Sequence, residues 1–361
     1  MSPLVGGAGV LAIGLASAVR ERGIDSHAWV PGQGAAADRL EHAGIPWHAY
    51  SLARLSRGGI SQMLALSSIG ARLLSARDAV VHVHGPLVYG LMSPLLSAIG
   101  ARTVVQFHID PTEEEVLWAL QRPPSAVGTC SRHIAGVIRE INDRAGRNIP
   151  VYPMPNAVDL SPYADVDRMA AKRLVGASLD RPLLVMLANL AEHKGQLTAV
   201  HAVRHLRDRG LIVDCWLAGE ERGGERHFTR RLEALIHELG VGDQVTLLGF
   251  RSDGPALLQA ADIFLLPSTH EGLPLSVLEA QAAGTVVLGS PVPGIREVVT
   301  DGVTGFVIDP ADHAGYADRI HALLTDRALY QRIADAARAH VRREHAWSVY
   351  LERAWEVYGA V

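Results

Sequence analysis

The stretch that most constrains the fold is 263–284, Ile-Phe-Leu-Leu-Pro-Ser-Thr-His-Glu-Gly-Leu-Pro-Leu-Ser-Val-Leu-Glu-Ala-Gln-Ala-Ala-Gly. Ile263 to Leu266 are apolar without alternation, the pattern of a parallel strand buried on both faces. Pro267 to Gly272 read as a turn. Pro274 is expected at the first helical position, and Gly284 falls just past the last apolar residue, where a C-terminal cap belongs. A strand, a loop and a helix in this order are the building unit of a parallel sheet. The N–H groups that follow Gly272 point out of a helix N-terminus, a natural seat for a phosphate. Two carboxylates frame that seat. Glu271 lies in the loop, and Glu279 lies in the second helical turn, within reach of a ribose hydroxyl if a nucleotide lies across this end. The plainer reading is a surface loop and helix with two solvated glutamates, but strand, glycine, proline and both carboxylates coincide here.

The same order recurs along the chain. Strands are expected at Ser26–Val30, Ala79–Gly85, Thr103–Pro111, Val127–Ser131, Val151–Pro155, Leu183–Ala188, Val213–Gly219 and Val245–Phe250, with helices between them. This alternation predicts α/β architecture, two Rossmann-like domains with parallel sheets facing a central cleft. A length of 361 residues suits two domains. A net charge of −4 leaves no electrostatic footprint for nucleic acid. The two cysteines, Cys130 and Cys215, are too few and too far apart for a disulfide framework or a metal site, and a reducing cytoplasm is the expected location.

Residues 265–284 resemble the Glu-x7-Glu motif of the retaining GT-B glycosyltransferases of the family-four type. The continuations Val287-Leu288-Gly289-Ser290-Pro291-Val292-Pro293-Gly294-Ile295-Arg296-Glu297-Val298-Val299 and Asp301-Gly302-Val303-Thr304-Gly305-Phe306-Val307 extend the likeness past forty residues. The resemblance implies that Glu271 contacts the donor sugar, that Glu279 holds the ribose, and that the amides of Gly272, Leu273, Pro274 (which has none to give) and Leu275 line the sugar and diphosphate. It implies further donor contacts from the glycine pair Gly6-Gly7, from Asn189 and Lys194 at two diphosphate positions, and from Phe250 and Arg251 beside the nucleobase. His108, at the end of a strand, is implied to be catalytic together with Glu271 and Lys194. His84 and Asp110 are implied on the acceptor side. A glycine pair or a lone histidine has structural readings too.

Three departures from the family pattern stand out. Asn189 occupies a position where the family carries Arg, which removes one bidentate cation from the diphosphate. Ala157 replaces Gly in Pro155-Asn156-Ala157-Val158-Asp159, the expected interdomain segment. Only Met1 to Leu4 precede the glycine loop, so either the first strand is short or missing or the chain starts inside the natural one, and the late start is the expectation. The resulting domain scheme is an acceptor domain over 1–157, a donor domain over 158–340, and a last helix over 341–361. That helix either crosses back to the first domain or packs within the second.

The reaction implied is transfer of a hexose-type sugar, from a UDP-sugar in the first instance, to a hydroxyl of a carbohydrate, lipid-linked or small-molecule acceptor. Retention comes from front-face attack, with the leaving phosphate accepting the acceptor's proton. No cofactor and no metal are expected, since no Asp-x-Asp motif occurs in the candidate loops. A GT-B disaccharide phosphorylase and a non-catalytic nucleotide-sugar-binding subunit are the alternatives. Stretch 51–77 holds Arg54, Arg57, Arg72 and Arg77, no acidic residue, and apolar residues at near-helical spacing. It reads either as a helix lying weakly on an anionic membrane or as one packed on its own sheet with a solvated basic face.

Overall fold

The computed structural model describes residues 6–51, 56, 69–71, 73–74, 78–221, 223 and 226–361. Most of the arginine-rich stretch 51–77 lies outside the described residues, as do residues 1–5, where the short first strand was expected. The chain forms two compact units. One runs through Asn156 and adds Tyr350–Val361; the other is Ala157–Val349.

In the first unit, β1 (Ala28–Val30) pairs in parallel with β2 (Trp47–Ala49). A second parallel sheet has the order β3-β4-β5-β6, from Val80–His84, Arg102–Phe107, Ala126–Thr129 and Val151–Pro153. Val104, Val105 and Phe107 in β4 and Ala126 and Val127 in β5 are fully buried. These central strands are apolar on both faces because helices cover both. The last helix, Trp347–Gly359, buries Tyr350, Ala354 and Val357, and its Tyr350 hydroxyl reaches Gln106 Oε1 at 3.4 Å.

The second unit holds six parallel strands in the order β12-β11-β10-β7-β8-β9. They are β7 (Leu183–Leu187), β8 (Asp214–Ala218), β9 (Val245–Gly249), β10 (Ile263–Leu266), β11 (Val286–Gly289) and β12 (Phe306–Val307). The chain builds outward from β7 through β8 to β9. It then returns to the other side of β7 and builds outward again through β10, β11 and β12. Strand order therefore reverses between β7 and β10, which makes the carboxyl ends of these two neighbours the switch point where open parallel sheets take ligands. Leu184, Ile263, Leu265, Val286 and Leu288 form the centre of the core, closed by Val200, Val203, Tyr316 and Ile320 from the helices.

The strands expected from sequence exist, generally one or two residues shorter than read. His108 stands just beyond β4, and Phe250 and Arg251 stand just beyond β9. One local reading needs correction. Pro274 precedes the first helical position: it is the N-cap of the helix Leu275–Ala283, with φ −73° and ψ 120°. Its ring fixes φ but leaves ψ free to stay extended, so the helix begins one residue later. Gly284 ends that helix in the left-handed conformation, φ 74°.

Candidate functional site

Two loops meet at the switch point of the second unit. After β7 the chain passes Asn189 and makes a short 3-10 turn, Glu192–Lys194. Gly195 follows with φ +78°, a conformation that strains any side chain, and then the helix Gln196–Asp208. A Cβ on Gly195 would also lie 2.2 Å from the Pro267 carbonyl oxygen. The turn is thus pressed against the chain leaving β10. Thr269 N–H donates to the His193 carbonyl at 2.8 Å and locks the two loops together.

This docking brings Lys194 onto Glu271. Lys194 Nζ donates to Glu271 Oε1 at 2.7 Å, and Ser268 Oγ donates to the same oxygen at 2.7 Å. The Glu271 side chain is 8% exposed and that of Lys194 20%. A carboxylate buried to that degree needs its cation and its hydroxyl donor. Ser290 Oγ in turn donates to the Ser268 carbonyl. On the far side, the Pro293–Arg296 helix packs so close that a Cβ on Gly294 would fall 2.3 Å from the Gly272 carbonyl oxygen. Ser268 and Gly294 were not singled out from the sequence. The signal for Ser268 is its place two residues past a buried strand and three before the glutamate, on the same turn.

Pro274 offers no side-chain cap to the helix behind this loop, and the first amide bonded within it is Val277 N–H to the Pro274 carbonyl. The N–H groups of Leu275 and Ser276 therefore precede the helical ladder, as an anion seat requires. Leu273 and Gly272 are buried beneath it. One turn on, Glu279 is partly buried, and loss of water pushes its carboxyl up to about 7. Buried Tyr163 lies near it; its hydroxyl is raised first by burial and then by the Glu279 charge. Arg251 is held at home: its Nε and Nη2 grip Asp253 at 2.8 and 2.5 Å. Phe250 is half-exposed, and Asn189 gives its backbone carbonyl to Gln196 Nε2 at 2.9 Å.

In the first unit Gly6 is the N-cap of the helix Gly7–Glu21, and its φ of −65° is open to any residue. His84 and His108 come together at the carboxyl ends of β3 and β4, with 3.1 Å between His84 Nδ1 and His108 Nε2 and their rings stacked at 5.4 Å. His82, unnoticed from sequence, stacks on His84 at 4.3 Å and meets the Tyr358 hydroxyl at 2.7 Å through Nδ1. Its signal is the His-x-His spacing, which puts both rings on one face of a strand. Burial lowers all three histidines, His84 to about 4 and His108 to about 3. Asp110 Oδ1 lies 3.3 Å from His133 Nε2. Among the described residues no group of three or more His, Cys, Asp or Glu could hold a metal ion, and no helix is long and apolar enough to cross a membrane.

Two family models match the chain one after the other: "Glycosyl transferase 4-like domain" over 6–153 and "Glycosyl transferases group 1" over 168–340. A D-inositol 3-phosphate glycosyltransferase of Xylanimonas cellulosilytica is 33% identical over 58% of this chain and 51% of its own length. The chain spans about half the length of the first curated relatives it matches. An N-acetyl-alpha-D-glucosaminyl L-malate synthase of Bacillus anthracis is 28% identical over 94% of this chain and 90% of its own. Anabaena Alr3699/HepE, solved with UDP and glucose, superposes with TM-score 0.86 at 21% identity, over 100% of this chain and 98% of that one. The first half of the chain thus matches a glycosyl transferase 4-like domain and the second half the glycosyl transferases group 1 family, and together they adopt the GT-B fold.

Proposed function

We propose that this chain is a retaining, metal-independent glycosyltransferase that moves a hexose-type sugar from a UDP-sugar to an acceptor hydroxyl. The observation that carries the reading is the Lys194–Glu271–Ser268 cluster at the switch point, beside the open amides of Leu275 and Ser276. In the step, the bond from the anomeric carbon to the β-phosphate oxygen breaks as the acceptor oxygen bonds to the same face, and the acceptor's proton passes to the departing phosphate. Negative charge then grows on the diphosphate. Lys194 and the two amides meet it without a bridging cation. Asn189 contributes no charge and Arg251 is engaged with Asp253, so Lys194 carries this task with little support from side chains. Glu271 serves the sugar and holds Lys194 in place, while Glu279 accepts from the ribose.

UDP is the nucleotide of choice because HepE, of the same fold, binds UDP and UDP-glucose. The relatives' names include inositol phosphate and malate acceptors, so hydroxyl compounds of both kinds belong in the assay. The test is UDP release from UDP-glucose in the presence of chelator, with D-inositol 3-phosphate and L-malate among the acceptors and proton NMR of the product's anomeric coupling. An α-linked product formed with chelator present supports the reading; a β-linked product, or one formed only with added metal, contradicts it.

A further inference from the structure

Two buried serines stand at the exits of neighbouring strands in the second unit. Ser268 lies two residues past β10 and Ser290 one residue past β11, and both are fully closed to water. A buried hydroxyl needs a partner, and each of these has one proton to give. Ser268 Oγ donates to Glu271 Oε1, and Ser290 Oγ donates to the Ser268 carbonyl. The two hydroxyls thus form a relay from the end of β11 to the Glu271 carboxylate. Alanine at either place would satisfy packing alone; a hydroxyl adds direction.

That direction decides which carboxylate oxygen a ligand meets. Lys194 Nζ and Ser268 Oγ both donate to Oε1, each at 2.7 Å. A carboxylate oxygen has two lone pairs, so these two donors fill Oε1 and a third donor has to turn to Oε2. The last torsion of a glutamate is broad and two-fold, so the carboxylate alone has no preference between its oxygens. Lys194 does not supply one, since an ammonium on a flexible four-carbon stem is a point charge that follows either oxygen. Ser268 does supply one: its side chain is short, it stands three residues before Glu271 on the same turn, and Ser290 holds its carbonyl.

We propose that Ser268 is a positioning residue for the donor sugar, fixing Glu271 with Oε1 toward Lys194 and Oε2 as the acceptor for a sugar hydroxyl, and that Ser290 steadies it. The relay acts on the sugar of a nucleotide-linked sugar and leaves the diphosphate seat of Lys194, Leu275 and Ser276 alone. The assignment rests on the transferase reading for the presence of a sugar. The hold of Ser268 on the carboxylate is visible without one.

The test compares the full chain with Ser268→Ala, Ser268→Thr and Ser290→Ala, using calorimetric binding of UDP and of UDP-glucose and the rate of UDP release from UDP-glucose. Ser268→Ala is expected to bind UDP like the parent chain. Its kcat with UDP-glucose should fall about tenfold, the loss of one hydrogen bond to a charged group. Ser268→Thr keeps the hydroxyl and should recover most of that rate, and Ser290→Ala should fall in the same direction by less. Loss of UDP and UDP-glucose binding to the same degree in Ser268→Ala, or no change in either binding or rate, overturns the proposal. A ligand-free crystal structure of Ser268→Ala reads the hold directly: the Glu271 carboxylate should take more than one orientation, and a single unchanged orientation overturns the proposal whatever the nucleotides do. A parent chain that binds neither nucleotide sinks the transferase reading and the sugar contact with it. A parent chain that turns over UDP-glucose while Ser268→Ala keeps the full rate sinks this proposal alone.

Discussion

At the residue scale, Lys194 and Glu271 behave as one unit. Removing either leaves the other with an unmatched charge in a site largely closed to water, a situation that costs on the order of 1–3 kcal/mol. Lys194→Ala and Glu271→Ala are each expected to destabilise the fold by that order. The double variant should lose much less than the sum, so chemical denaturation of all four forms should give a coupling of at least about 1 kcal/mol. Additive losses would show that the pair is incidental. Lys194→Ala should also weaken UDP binding about tenfold or more, as loss of a charge-assisted phosphate contact does.

Glu279 gives a pH signature. Its folded pKa of about 7 lies above the ordinary 4.5, so ionising it costs stability. No cost exists below about pH 4.5; it grows between 4.5 and 7 and is constant above. Glu279→Gln should match the parent chain at the acid end and exceed its stability by about 1–3 kcal/mol above pH 7, read from denaturation midpoints across pH. Ribose hydroxyls donate to the ionised form, so UDP affinity of the parent chain should rise as pH passes through 7. The Gln variant should show no such rise.

At the element scale, most of the architecture was readable because strands buried on both faces are written as unbroken apolar runs. Ile263–Leu266 and Leu183–Leu187 needed no context. The placement of Glu271 and Glu279 beyond β10 was readable for the same reason: they sit at fixed steps from such a strand. What stayed hidden depends on contacts between distant segments. Nothing in the sequence near Ser268 announces that its hydroxyl shares an oxygen with Lys194, and nothing near His82 announces Tyr358, 276 positions away. The misplacement of Pro274 by one residue has a similar origin, since proline fixes φ and not ψ. The packing of elements makes its own prediction. Gly195→Ala would force a β-carbon into the Pro267 carbonyl at a left-handed position. We expect a loss of more than about 2 kcal/mol together with weaker UDP binding, because the Lys194 turn must move. A variant as stable as the parent chain would show that the two loops are not locked.

At the scale of the whole molecule, the proposed donor site lies wholly within the second unit of a chain of GT-B fold. The central claim is that the switch point of the second sheet binds a nucleoside diphosphate. A thermal-shift screen of the full chain against UDP, GDP, ADP and dTDP tests this directly. A nucleotide present at a hundred times its dissociation constant stabilises the folded state by about 2.7 kcal/mol. The account predicts a clear upward shift with UDP, reduced in both Lys194→Ala and Gly195→Ala. No shift with any of the four, or a shift that Lys194→Ala leaves intact, would contradict it.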